Sequence, residues 1–262
     1  GSAKPGLLPA PQRVQWKGTQ TALGPDWAVA HALELGDGHI ALKMLREGLS
    51  ARHGLRLASA GRSSRVIRLV VRPGSAAAGK SESIARQGYR LQIEPQSVTA
   101  TGNDGPGLLN AVSTLLQLLD SAGDNSRVLP VCDIEDWPDL ELRIIHWCEK
   151  EHQSRMETLK EYLDRAAYFK INAIGWHLEN TFAYRKHPAI GVPTAFTAEQ
   201  VREIEQYANE RFIELIPMVD FPAHMSYVLR LPEFAHLREM PNSSYMICPT
   251  NPESWSLILD LL

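Results

Sequence analysis

The residues best placed to do chemistry lie in the stretch Ile216-Pro217-Met218-Val219-Asp220-Phe221-Pro222-Ala223-His224, where an apolar run ends in an acid, a proline and a histidine. A run such as 213–219 reads as a buried parallel strand, and the carboxyl ends of such strands are where α/β folds place their chemistry. Asp220 and His224 therefore stand at the mouth of a candidate site. Histidine titrates near neutral pH, so beside a carboxylate it can hold or hand over a proton. The plainer reading is a loop-capping pair, because Asp and Pro also favour turns. His177, at the end of a second apolar run, is either a satisfied core histidine or part of the same mouth. His146 and His152 have no third ligand at a useful spacing, so neither a metal nor another cofactor is expected. Ser154 and Ser226 lie near histidines but lack a nucleophile elbow. Glu149, Lys150 and Glu151 read as a solvated loop face.

Strands and helices must bring such residues together, and the pattern that does so begins after Trp137-Pro138. Residues 142–147 are strand-like, 156–169 form an amphipathic helix with Leu159, Tyr162, Leu163, Ala166 and Ala167 inward, and 171–178 is a second strand. Thr197-Ala198-Glu199-Gln200 has the form of a capping box opening a helix to about residue 211, and 213–219 follows as the third strand. Such alternation means parallel strands with right-handed crossovers. A doubly wound sheet and a (β/α)8 barrel both fit. Polar or aromatic strand ends on long loops favour the barrel. Residues 138–262 amount to about half of the roughly 250 that a complete barrel takes, so the chain is expected to hold only its first half, with more beyond Leu262.

Before residue 137 the texture differs. Residues 65–71 and 89–93 look like strands, 41–52 and 107–119 like helices, and 61–64 and 74–83 have the small-residue content of loops. In 107–119, Leu108, Leu109, Val112, Leu115, Leu116 and Leu119 repeat at the spacing of a buried helical face. The expected organisation is a scar (Gly1-Ser2) and leader over 1–12, a small α+β domain over 13–136, and the N-terminal part of a TIM barrel over 137–262.

Composition removes several functions. With 44% apolar and 22% charged residues the chain is an ordinary globular one, and a net charge of −3 without long like-charge runs offers no face for nucleic acid or anionic lipid. No stretch approaches 18 apolar residues, so no membrane span is expected. Cys132, Cys148 and Cys248 are odd in number and widely spaced, which argues for buried thiols rather than disulfides or a CxxC site.

Several motifs carry a family resemblance. Tyr89-Arg90-Leu91-Gln92-Ile93, Gly105-Pro106-Gly107-Leu108-Leu109 and Thr114-Leu115-Leu116-Gln117-Leu118-Leu119 resemble the small domain that precedes the barrel in glycoside hydrolase family 20, the β-N-acetylhexosaminidases. Leu142-Arg143, Lys170-Ile171-Asn172 leading to Trp176-His177-Leu178, Tyr207-Ala208 with Arg211, and Ile216-Pro217 with Asp220, Pro222 and His224 resemble its successive barrel motifs in order. The segment 178–188 looks like a divergent branch.

The resemblance implies removal of terminal β-linked N-acetylhexosamine by substrate-assisted retaining hydrolysis, in which the acetamido oxygen attacks the anomeric carbon. It implies that Arg143, at the end of strand one, grips sugar hydroxyls with its planar fork of donors, although pairing with Glu141 is the plain alternative. His177 and Asn180 match sugar-binding positions, Asn180 standing where aspartate is usual, and Glu179 supplies a carboxylate nearby. Asp220 and His224 match a supporting catalytic pair. Trp147, Trp176 and Tyr184 fit either sugar platforms or core, with core favoured for Trp147 and Tyr184 counted among substrate-binding residues. The family's Asp-Glu pair does not follow His224, so it is expected beyond this chain. Cys148, Met218, Ala223 and Gly175 also depart from the family's usual aspartate, glutamate, glycine and histidine. The expected partner is carbohydrate, glycan or chitin-like, with possible association through an open barrel edge. A secreted or periplasmic location is suggested by the family alone. The alternatives are a noncatalytic carbohydrate-binding protein, an inactive fragment, or a hydrolase of another β-glycoside.

Overall fold

The computed structural model describes residues 5–32, 35–59, 63–77, 81–123, 126–150 and 153–262. Glu151 and His152, and parts of the two small-residue loops, lie outside the described residues. The chain divides into two compact units, Gly1–Arg143 with Arg165–Ile171, and Ile144–Asp164 with Asn172–Leu262.

The first unit runs β1 (Arg13–Ala22), β2 (Trp27–His31), α1 (Ile40–His53), β3 (Ala58–Ser59), β4 (Arg65–Val71), α2 (Glu82–Arg86), β5 (Tyr89–Ile93), β6 (Ser97–Gly102), α3 (Gly105–Asp120) and β7 (Val128–Asp136). Its strands form one mixed sheet in the order β1-β7-β5-β6-β4-β2-β3. The expected strands 65–71 and 89–93 are β4 and β5, and the expected helices lie within α1 and α3. In β5 the period of two is plain: Tyr89, Leu91 and Ile93 are buried while Arg90 and Gln92 face water. The α3 helix starts where Asp104 accepts a hydrogen bond from the Gly105 amide, with Pro106 in its first turn. Leu108, Leu109, Val112, Leu115, Leu116 and Leu119 are all buried along it, each contributing about 2 kcal/mol of apolar transfer. Gly107 allows the helix to approach: a Cβ there would stand 2.3 Å from the Gly88 carbonyl oxygen. The sequence reading leaves 13–22 without a strand. As an edge strand with a register shift between Trp16 and Gln20, β1 needs no apolar alternation, and most of its residues are exposed.

The second unit alternates β8 (Ile144–Cys148), α4 (Met156–Tyr168, whose last turn groups with the first unit), β9 (Ala173–His177), a 3-10 turn (Glu179–Thr181), α5 (Ala198–Asn209) and β10 (Glu214–Met218). The strands are parallel and adjacent in chain order, with Cys148 and Met218 both opposite His177. The Thr197–Gln200 capping box is present. Central β9 is wholly buried, whereas β8 is an edge strand on which Ile144 is 47% exposed. On the shared face a Cβ at Gly175 would meet Met218 Sδ at 2.5 Å, so the absent side chain makes room for Met218. Beyond β10 the chain adds α6 (Ser226–Leu229), a β11–β12 hairpin (Arg238–Met240, Ser243–Ile247) and α7 (Pro252–Leu261), joined by an apolar cluster that includes Met225, Val228, Leu229, Ile247 and Leu257. No helix among the described residues is long and apolar enough to cross a membrane.

All three cysteines are free, but only Cys132 is buried, where desolvation pushes its thiol up to about 12. Cys148 is exposed and Cys248 half-buried, which corrects the expectation of three buried thiols. Cys148 lies at the end of an edge strand, where nothing covers it among the described residues.

Candidate functional site

Polar side chains converge just past the carboxyl ends of β8, β9 and β10. Lys150, Glu179 and Asp220 each stand two residues beyond their strand, and because Cys148, His177 and Met218 are in register the three side chains meet. The Lys150 ammonium is 2.9 Å from Glu179 Oε1 and donates a hydrogen bond to Asp220 Oδ2. The contact with Oε1 is off the hydrogen-bonding direction, so it is an ion pair rather than an aligned hydrogen bond. His177 Nε2 lies 3.6 Å from Asp220 Oδ1, an electrostatic contact too long for a hydrogen bond.

The electrostatics follow from burial and this lysine. Glu179, only 3% exposed, has its pKa raised by desolvation, which Lys150 reduces but does not cancel. Burial also works against ionisation of Asp220, but there the hydrogen bond and charge of Lys150 win, and its pKa is lowered. For Lys150 burial opposes the charge and the two carboxylates outweigh it, so its pKa is raised. The pKa of His177 is lowered, first by burial and then by the nearby His146 and Lys150 against the pull of Asp220. The cluster is therefore a neutral imidazole, an ammonium and two carboxyls of unlike acidity.

Glu149 and Lys150 depart from the reading of 149–151 as a solvated loop face, Glu151 lying outside the described residues. Glu149 is 5% exposed and its Oε2 accepts a hydrogen bond from the Ser154 amide at 2.6 Å, while Lys150 is the cation of the cluster. Lys150 looks solvated in sequence because the acids that meet it come from distant strand ends. Among the described residues, the one grouping of metal-ligand type whose donor atoms lie close together is His177, Glu179 and Asp220, within 4.8 Å of one another. Its two carboxylates already hold the Lys150 ammonium, so the cation there is a side chain of this chain.

Of the other residues singled out in the sequence, His224 has no hydrogen bond to Asp220 among the described residues. It adopts left-handed backbone (φ 60°), and its Nε2 shares a 3.0 Å hydrogen bond with the Tyr245 hydroxyl, a partner the sequence does not signal. Asn180 follows Glu179, and its buried Oδ1 has no hydrogen-bond partner among the described residues. Tyr184 is buried in the apolar cluster, where desolvation and then the Glu179 charge raise its pKa. Trp147 and Trp176 pack edge-on with centroids 5.9 Å apart, and Trp147 also meets Tyr162 of α4, so both are core. Arg143 immediately precedes β8, at the amino end of the strand, as its place in the expected strand 142–147 also has it, and not at the carboxyl end where the resemblance implies a sugar-binding arginine. Within the first unit its guanidinium donates to the Lys170 and Leu140 carbonyls and to Gln87 Oε1 at 2.6–2.9 Å, lining a cavity of about 190 Å³ with Tyr89, Asp136 and Trp137.

A cluster of hydrogen-bonding charges beyond parallel strand ends suits a polar ligand. Residues 4–137 match the family model described as glycosyl hydrolase family 20, domain 2, and residues 150–258 match that of the glycosyl hydrolase family 20 catalytic domain. The beta-hexosaminidase of Porphyromonas gingivalis is 31% identical over 176 residues, which are 58% of this chain and 23% of that protein. That of Akkermansia muciniphila is 26% identical over 195 residues, 64% of this chain and 40% of that protein. The chain thus spans less than half the length of these curated relatives. Among solved structures, a mutant Streptomyces plicatus beta-hexosaminidase in complex with product (GlcNAc) is similar with a TM-score of 0.77 at 23% identity, over 97% of this chain and 55% of that one. The GH20 exo beta-N-acetylglucosaminidase of Vibrio harveyi in complex with N-acetylglucosamine gives a TM-score of 0.74 at 21% identity, over 97% and 44%. At these identities the structural likeness speaks for the fold.

Proposed function

Because the chain belongs to glycosyl hydrolase family 20, we propose that the protein is a β-N-acetylhexosaminidase, removing terminal β-linked N-acetylhexosamine from glycans or chitin-like oligosaccharides by substrate-assisted retaining hydrolysis. The observation that carries the reading is the pair of family matches in family order, the second covering Lys150, Glu179 and Asp220 of the polar cluster. In this reading 1–12 is a leader, 13–136 the small α+β domain and 137–262 the first half of a (β/α)8 barrel, with β8, β9 and β10 as its first three strands. The sugar's acetamido oxygen attacks the anomeric carbon, so the protein supplies no nucleophile. His177, Glu179 and Asn180 would meet sugar hydroxyls after β9, with Asp220 and His224 supporting the acid. Arg143 and Tyr184, engaged elsewhere, would have to exchange partners to reach a sugar. The Asp-Glu pair that orients the acetamide and protonates the leaving oxygen lies, in this reading, outside these 262 residues. The exposed edge of β8, with Ile144 and Ile145, is where further strands or another chain would pair.

A second reading is a noncatalytic carbohydrate-binding protein, which would keep the polar cluster while the whole protein lacks an Asp-Glu pair. Hydrolysis of another β-glycoside is the competitor among enzymes. Chromophore release by the whole protein, with the expected Asp-Glu pair in place, from an aryl β-N-acetylglucosaminide and from the matching β-glucoside separates the three. Acetamide-dependent release is the expected outcome. Equal release from both substrates would point to another glycosidase, and saturable N-acetylglucosamine binding without release to a binding protein.

A further inference from the structure

The cluster at the strand ends contains one residue to which neither the family motifs nor the candidate site residues give a role. Lys150 comes from the β8 end and touches one carboxylate from the β9 end and one from the β10 end, so a single ammonium ties three consecutive strand ends together. Without it, two carboxyls with oxygens inside a 4.8 Å grouping would face one another, and one would have to take up a proton. Asp220 has no hydrogen bond to His224 among the described residues, so Lys150 rather than His224 sets its direction and charge.

Resting on the hydrolase reading above, we propose that Lys150 is a positioning residue, whose ammonium holds the Asp220 carboxylate ionised and aimed at the site while anchoring it to Glu179. The lysine does not touch the reacting atoms. It acts through Asp220, and an arginine, which keeps the charge and can reach two carboxylates, preserves the role in part.

The test uses the whole protein, with the expected Asp-Glu pair in place, carrying Lys150→Met or Lys150→Arg, each checked for an unchanged circular dichroism spectrum. NMR titration of the His177 imidazole reads the cluster without requiring activity. Removing the nearby cation raises the His177 pKa in Lys150→Met, and Lys150→Arg returns it toward wild type. In turnover of the aryl β-N-acetylglucosaminide, Lys150→Met lowers kcat about tenfold or more with KM changed less, and Lys150→Arg recovers much of it. An unchanged His177 titration in Lys150→Met, or a kcat within about twofold of wild type, overturns the proposal. Absence of turnover in the wild type itself would sink the hydrolase reading. The positioning role in catalysis would fall with it, and the His177 titration would then decide only whether Lys150 governs the charge of the cluster.

Discussion

Two carboxyls that share one ammonium need not share its benefit equally. Glu179 is buried more deeply than Asp220 and keeps a raised pKa, whereas Asp220 receives the hydrogen bond from Lys150 and has a lowered one. Divergent acidities in one pair are how a site acquires a carboxyl that carries a proton beside one that does not. The stability that the ionised Asp220 contributes is fully present above the ordinary aspartate value of 3.8 and is lost as pH falls below it, through the lowered folded value. Asp220→Asn has no such contribution to lose. Its urea midpoint is therefore expected to change less than that of wild type between about pH 5 and about pH 3. Equal changes in the two proteins would mean that Asp220 is not held ionised by its surroundings. In sequence Asp220 was visible as the polar end of an apolar run, but Lys150 was not, because a lysine between two glutamates carries no mark of a buried partner.

At the scale of elements, the repeats that could be read were those with a face to bury. The α3 helix and strands β4, β5 and β9 declare themselves through periods of 3.6 and 2 or through continuous apolar runs. Edge strand β1 and the short β11–β12 hairpin do not, since pairing rather than apolar patterning defines them. The α3 helix also depends on a close approach. A methyl group at position 107 would collide with the Gly88 carbonyl, a backbone atom that cannot swing aside. Gly107→Ala is expected to cost about 1–3 kcal/mol in urea unfolding despite the better helix propensity of alanine. A neutral or stabilising result would show that α3 can shift away from that loop.

For the whole molecule, the division into units does not follow the chain. Residues Arg165–Ile171, the last turn of α4 and the link to β9, belong with the first unit although the rest of α4 and β9 belong to the second. Lys170 Nζ donates to Tyr89 OH at 2.9 Å and lies 3.0 Å from Asp136 Oδ2, both acceptors being buried; Gln117 Nε2 donates to the Tyr168 carbonyl at 3.0 Å. A fragment of residues 1–143 leaves Asp136 without that cation, and removing one partner of a buried pair typically costs about 3–5 kcal/mol. Its urea midpoint is accordingly expected below that of the same unit in the 262-residue chain, and close to that of the chain with Lys170→Met. A fragment as stable as the unit in the chain would mean that 165–171 contributes nothing to it.

The sequence by itself determined the alternation of elements after Trp137-Pro138, the capping of α5 at Thr197, the buried face of α3, and the presence of polar groups past three apolar strands. These are local properties, fixed by backbone periodicity and by side chains a few residues apart. It took the folded chain to show that Lys150, Glu179 and Asp220 share one charge cluster, that His224 pairs with Tyr245, and that the Arg143 guanidinium is held by the Lys170 and Leu140 carbonyls and Gln87. Such meetings depend on the register that sets Cys148, His177 and Met218 opposite one another, and register is decided by how separate strands pack.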